Sequence, residues 1–392
     1  MTSTKPTLSL KLMYILFFLI GLNFYGNAIP LIYIFAIFVM LNTKIFIKLP
    51  AVFFCVVLLF LYIVFSLIIN DKALIYESIK LATYPILFVS NYSLCIFLKQ
   101  KDMDSSYKIY VFYLLMFMFV FGNMLHFALD ISISDLNNIN IGKRILNDIW
   151  SNGTTPTTIV SGWGILTMPC LLYAYDNKKE HKVILLTNVF ITSTFIVFSF
   201  IVATRLGVVN SFVILISFLI LLIIQKDFTV NANTIIKLVI SIFLIIVIVK
   251  KVQPLIVNSN LYARLNDNSL SFLDSNGRIE ATQYLIAHFS ESLFGGGYFT
   301  LKYGLQQHNM LFQMYDLYGL IPFLLVILLI LNLIKKLILF FKSDEYSNSD
   351  KRFYAMVFLA LMLYFFEEPA ISSNFVVTGM LYAYMGYLYA LI

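Results

Sequence analysis

The chain alternates long apolar runs with short polar connections, and few of the runs show the one-sided stripe of a soluble amphipathic helix. Runs that are apolar all round belong in a bilayer rather than on the surface of a soluble core. Twelve runs stand out: 9–24, 28–42, 50–69, 75–98, 108–129, 156–175, 184–202, 207–225, 234–250, 309–333, 353–369 and 374–391. Most are near the ~20 residues that a helix needs to cross a hydrocarbon core of ~30 Å. The predicted fold is therefore an all-α polytopic membrane protein of about 12 transmembrane helices, residues 1–392 forming a single integral membrane domain. Two polar stretches interrupt the pattern, a smaller loop at 130–155 and a larger one at 251–308 before helix 10. The stretch 184–225 is about twice a bilayer thickness and must fold back. Turn chemistry occurs there only at Thr204-Arg205-Leu206-Gly207.

Composition agrees: 60% of residues are hydrophobic and 12% charged, against ~25% charged in soluble domains. The net charge of +7 does not signal nucleic acid, because the cations lie in short connections between apolar runs, where they set topology. With the N-terminus in the cytoplasm, seventeen of the 27 Lys and Arg residues fall inside, nine outside, and Lys80 within a span. That bias obeys the positive-inside rule, and an even span count puts both termini inside. The two long loops then lie outside. The first apolar run, from Leu12 to Leu22, lacks a small-residue cleavage site and leads into another, so it reads as a retained helix. Cys55, Cys95 and Cys170 all sit in apolar runs and suggest no pairing.

The arginines break the local habit. Inside connections use mostly Lys, yet Arg144, Arg205, Arg264 and Arg278, four of the five, are predicted outside. Topology needs only positive charge, whereas the guanidinium fork matches phosphate or carboxylate. Arg205 is placed at the outer membrane face, where it faces a partner or snorkels from a tight turn. After Gly277, the spacing of Ile279, Leu285, Ile286 and Phe289 predicts a helix with Arg278 in its first turn. A cation there opposes the helix dipole, while the same end binds anions, so an anionic ligand reconciles the two. Further on come Gly295-Gly296-Gly297, able to approach a ligand closely, and Tyr298, suited to stacking on a sugar. His308-Asn309 follows at the membrane edge, where His308 could accept a proton from a hydroxyl. His126 and Arg144 flank the smaller loop, and Glu367 and Glu368 end the eleventh span. His288 has no neighbour at ligand spacing. No nucleotide-binding, zinc or nucleophile-elbow motif is present.

In this order of elements the chain resembles the O-antigen and capsular repeat-unit polymerases (Wzy), sisters of the O-antigen ligases. The resemblance rests on the span count, Arg205 at the seven–eight turn, and Gly277-Arg278, Gly295-Gly296-Gly297 and His308-Asn309 in family order. The Arg-to-Gly spacings of the family are matched only approximately, by Arg144 to Gly162 and Arg278 to Gly295. Gln306-Gln307 stands where ligases tend to carry an extra His, which favours polymerase. The resemblance implies metal-independent, cofactor-free, inverting transfer of a glycan from undecaprenyl diphosphate to a hydroxyl on another lipid-linked unit. It places the protein in a bacterial inner membrane, with a chain-length regulator as a further partner. His308 and Arg278 become the catalytic candidates. Arg205, Arg264, Arg278, Tyr298, Asn309 and Arg144 become the diphosphate and glycan contacts. Two rival expectations are a ligase, acting on another acceptor, and a lipid-linked oligosaccharide flippase or transporter. The latter predicts matched halves and charge at mid-membrane, for which only Lys80 and Asp316 qualify.

Overall fold

The computed structural model describes residues 8–24, 28–43, 48–69, 74–130, 145–147, 150, 154–156, 162, 164–178, 182–201, 205–225, 278–297, 301–302, 309–367 and 375–392. The ninth expected span (234–250), the start of the large loop (251–277), and Arg144, Arg264, Tyr298, His308 and Glu368 lie outside the described residues. The helices are α1 Leu8–Gly21, α2 Ala28–Thr43, α3 Ala51–Ile69, α4 Leu74–Gln100, α5 Ser105–Asp130, α6 Thr167–Asp176 and α7 Lys182–Ile201. They continue as α8 Arg205–Ile224, α9 Arg278–Ala287, α10 Met310–Tyr318, α11 Leu320–Lys342, α12 Asn348–Glu367 and α13 Phe375–Leu391. Among the described residues, α3, α4, α5, α7, α8 and α11 are long and apolar enough to cross a membrane. The chain is thus an α-helical, multi-pass membrane protein.

Two departures from the sequence reading have local causes. The run 156–175 lies partly outside the described residues; within it Gly162 and Gly164 are helical and α6 occupies Thr167–Asp176. Gly162 lies against the Tyr364 ring and Gly164 against Phe195, so neither position has room for a Cβ. The run 309–333 is interrupted at Gly319, and α11 then continues to Lys342, nine residues past its expected end. The lysine stems lengthen the apolar surface rather than end it. Finally, the smaller loop contains a two-stranded antiparallel ladder, β1 (Ile145–Asn147) with β2 (Thr154–Pro156), which an all-α reading omits.

Close backbone approach organises the bundle. The most extensive helix pair is α4 with α13. A Cβ at Gly386 would lie 2.1 Å from the Phe88 carbonyl oxygen. On the other side α1 crosses α5 through Gly21 and Gly122, each facing the partner's backbone at 2.0–2.1 Å from a notional Cβ. Lipid supplies no hydrophobic drive between helices, so such small-residue contacts carry much of the association. Between these pairs lies an aromatic core of Phe112, Tyr113, Tyr173, Phe353, Tyr354, Tyr384 and Tyr387. Gly207 makes the α7–α8 hairpin tight by seating Phe195 and Ser199.

Helix ends that strict alternation assigns to one side meet one another. Lys99 donates to the Leu391 carbonyl at 2.9 Å, and Tyr346 donates to the same oxygen at 2.7 Å. Arg352 pairs with Asp176 at 2.8 Å and donates to Gln225 at 2.6 Å, joining the ends of α6, α8 and α12. Lys108 lies 3.5 Å from Glu345, which also accepts from Ser105. These contacts, led by Ser105, hold the Glu345 carboxyl below its usual value against a smaller opposing effect of burial. All belong to the Lys-rich end, called here the basic end. At the opposite end Trp150 donates to the Leu22 carbonyl at 3.1 Å.

Gly386→Leu should therefore be among the most damaging single changes in the bundle. Forcing a side chain into a closed crossing costs roughly 1–3 kcal/mol or more. Purified variant protein is expected to melt well below wild type in the same detergent, whereas Ile392→Leu, at an exposed position, should not.

Candidate functional site

The described part of the large loop, 278–297, is docked rather than loose. Its helix α9 begins at Arg278, as the spacing predicts, and a 3-10 turn follows at Phe289–Ser292. Leu285 is fully buried together with Tyr315 of α10, with Phe289, Phe312, Leu320 and Phe323 packed around them. The Phe289 and Tyr315 rings stack at 4.1 Å between centroids, nearly parallel, and the Tyr315 hydroxyl donates to the Phe289 carbonyl. Phe323 meets both rings edge-on. The helix beginning at Arg278 is therefore bound to the helix that follows His308-Asn309.

The three glycines seat the loop on the helix break. Gly295, Gly296 and Gly297 all have positive φ, at 78°, 94° and 73°, and so does Gly319, at 94°. The N–H groups of Gly296 and Gly297 donate to Leu317 and Asp316, at 2.9 and 2.8 Å. In return the Leu320 N–H donates to Leu293 O at 3.0 Å. A Cβ on Gly295 would sit 2.6 Å from the Tyr318 carbonyl carbon, and one on Gly319 would sit 2.6 Å from Leu293 O. The close approach expected of a ligand is made here by backbone on backbone. It satisfies carbonyls that the end of α10 would otherwise leave open. Sequence reasoning missed Gly319, although Gly319 followed by Pro322 is the stop-and-start signature of a new helix.

Asn309 is the N-cap of α10: its Oδ1 accepts from the Leu311 N–H at 2.8 Å. Its Nδ2 reaches the Phe366 carbonyl at 3.4 Å, tying the start of α10 to the last turn of α12, which ends at Glu367. So Asn309 has a structural task beside the expected contact with substrate, and that task fixes the backbone next to His308. Arg205 and Arg278 are the first described residues of α8 and α9; residues 202–204 and 277 before them lie outside the described residues. His126 is buried near the end of α5, 6.5 Å from the Trp150 ring between centroids. His288, just past the end of α9, stacks on Tyr284 and bonds its carbonyl.

The two charges weighed as mid-membrane candidates lie near helix ends. Lys80 is in the second turn of α4, and Asp316 is three residues before the Gly319 break. Among the described residues no group of three His, Cys, Asp or Glu side chains is arranged to hold a metal ion. Compared with protein-family models and with curated protein sequences, the chain matches none.

The capping role generates a test. Asn309→Ala should cost ~1 kcal/mol as a lost N-cap, read as a lower melting temperature of the purified protein. Asn309→Ser should retain most stability, because Ser caps nearly as well. Gly295→Ala and Gly319→Ala should each cost more than Asn309→Ala, since both add left-handed strain of ~1–2 kcal/mol and a backbone clash.

Proposed function

We propose that this chain polymerises undecaprenyl-diphosphate-linked oligosaccharide repeat units into O-antigen or capsular polysaccharide. The supporting observation is the docking of α9 on α10 through Leu285, Phe312 and Tyr315. It makes one assembly of two elements that are separate in sequence, the Arg278 helix and the His308-Asn309 helix start. In the proposed reaction an acceptor hydroxyl attacks the anomeric carbon from the face opposite the diphosphate. The carbon–oxygen bond to diphosphate breaks, configuration inverts, and the hydroxyl proton passes to His308. Arg205, Arg264 and Arg278 neutralise the departing diphosphate, the larger contribution to lowering the barrier. Tyr298, Asn309 and Arg144 complete the glycan and diphosphate contacts, and no metal or cofactor is required.

Orientation follows from the charge bias: the basic end faces the cytoplasm of a bacterium, both termini with it, and the docked loop faces outward from the inner membrane. A chain-length regulator is the expected protein partner. The transporter reading gains nothing from the interrupted helix. The 23 residues of α11 alone reach ~34 Å, so the break lies at a membrane edge, whereas transporter helices break at the midplane.

In cells lacking the native activity, His308→Gln should abolish long polymer while single repeat units still reach the outer surface. Gln keeps hydrogen bonding but is no useful base, and general-base catalysis contributes about 10²–10⁴-fold. Near-normal chain length in this variant would remove His308 as the base. Long chains left on the lipid carrier would point to a ligase instead. Arg278→Lys should fail almost as fully as Arg278→Ala, because charge without the fork does not clamp diphosphate. In a background without native cysteines, Ser269→Cys should react with an impermeant thiol reagent and Ser343→Cys should not. The reverse pattern would overturn the orientation and the site built on it.

A further inference from the structure

We propose that the basic end of the bundle holds an anionic phospholipid between α4, α11 and α13, its phosphate on Lys335, Lys336 and Lys99 and one acyl chain in a crevice along α11. The crevice is narrow and almost wholly apolar. Its α11 wall is Val326, Leu329, Ile330 and Leu333, and its α13 wall includes Leu381, Tyr382 and Met385. On α11 the next position of that stripe is Lys336; on α13 it is Tyr389. The two stripes meet there, with the Lys336 ammonium 5.1 Å from the centre of the Tyr389 ring. A cationic site thus lies about one helical turn beyond the end of the apolar crevice.

Charge at that site is one-sided. Lys336 is within electrostatic reach of both Lys335 and Lys99. Among the described residues, none of the three forms an ion pair. Glu345, which Lys99 also reaches electrostatically, is already engaged by Ser105 and Lys108. Lys99 spends one N–H on the Leu391 carbonyl and keeps others. Like charges gathered six residues before the end of an apolar helix repel unless an anion lies among them. Basic pockets between helices are the usual seats of anionic headgroups.

Length also fits. From Lys336 to Val326 is ten residues, or ~15 Å of helix, half of a hydrocarbon core of ~30 Å. A phosphate at Lys336 would place its acyl chain in the crevice as far as the middle of the bilayer. Simple topology signals need no such channel, and simple lipid-facing crevices need no cations.

The test uses the full-length protein in neutral detergent, with native mass spectrometry counting retained lipid. Dioleoyl phosphatidylglycerol should be retained with one tight site, and dioleoyl phosphatidylcholine should not. Lys335→Gln with Lys336→Gln, both near the surface, should stay folded by size-exclusion and weaken retention by about tenfold or more. Lys335→Arg with Lys336→Arg should keep it. Leu333→Trp, which fills the crevice, should lose retention with the lysines intact. If that variant fails to fold, soluble glycerophosphoglycerol gives the same information, since without chains it should not compete. Equal retention of the two lipids, or unchanged retention in the Gln double variant, would overturn the proposal. So would full competition by glycerophosphoglycerol. Undecaprenyl phosphate bound equally well by wild type and the Gln double variant, and displacing phosphatidylglycerol, would assign the crevice to a chain entering from Met310, and would overturn it too.

Discussion

A backbone polar group left without a partner in an apolar medium costs several kcal/mol, and the loop end of this protein is arranged around that fact. The helix after His308-Asn309 stops at Gly319, and its last carbonyls need partners from outside the helix. The N–H groups of Gly296 and Gly297 meet them, and Leu320 answers with a bond to Leu293. Because the contact is backbone to backbone, only glycine fits at positions 295 and 319. The docking of α9 through Leu285 and the stacking of Phe289 on Tyr315 lie beside it.

At the opposite end the currency is charge. Arg352 is almost wholly buried, yet it has Asp176, Gln225 and the face of Phe218 around it. Removing one partner of such a pair is far more damaging than never having had it. Asp350, near it in α12, accepts from Tyr173 at 3.1 Å and from Ser347 at 2.7 Å. The ends of α6, α8 and α12 are thereby fixed in register.

Much of this was legible beforehand. The apolar runs located nine of the helices to within a few residues, and the helix that carries Arg278 fell where spacing put it. Hydropathy carries that information because the bilayer acts on every residue of a span alike. It could not show the break at Gly319, since a single glycine barely changes the mean hydropathy of its window. Asn309 read as a substrate contact because its capping bond is local and silent in composition. The four arginines were singled out by residue type, and only chemistry can assign their roles.

The pairing of α4 with α13 has a consequence for how the chain is made. Phe88 and its neighbours on α4 are synthesised early, and the glycine face that covers them at Gly386 arrives only after nearly 300 further residues, about the separation of Lys99 and Leu391. Contacts so distant in sequence form late. During translation α4 must therefore wait in the membrane with its tightest packing surface open, sheltered by lipid, by α2 and α3, or by the insertion machinery. Ribosome stalling or premature termination before α13 would leave an inserted but uncompleted bundle, exposed to membrane quality-control proteases.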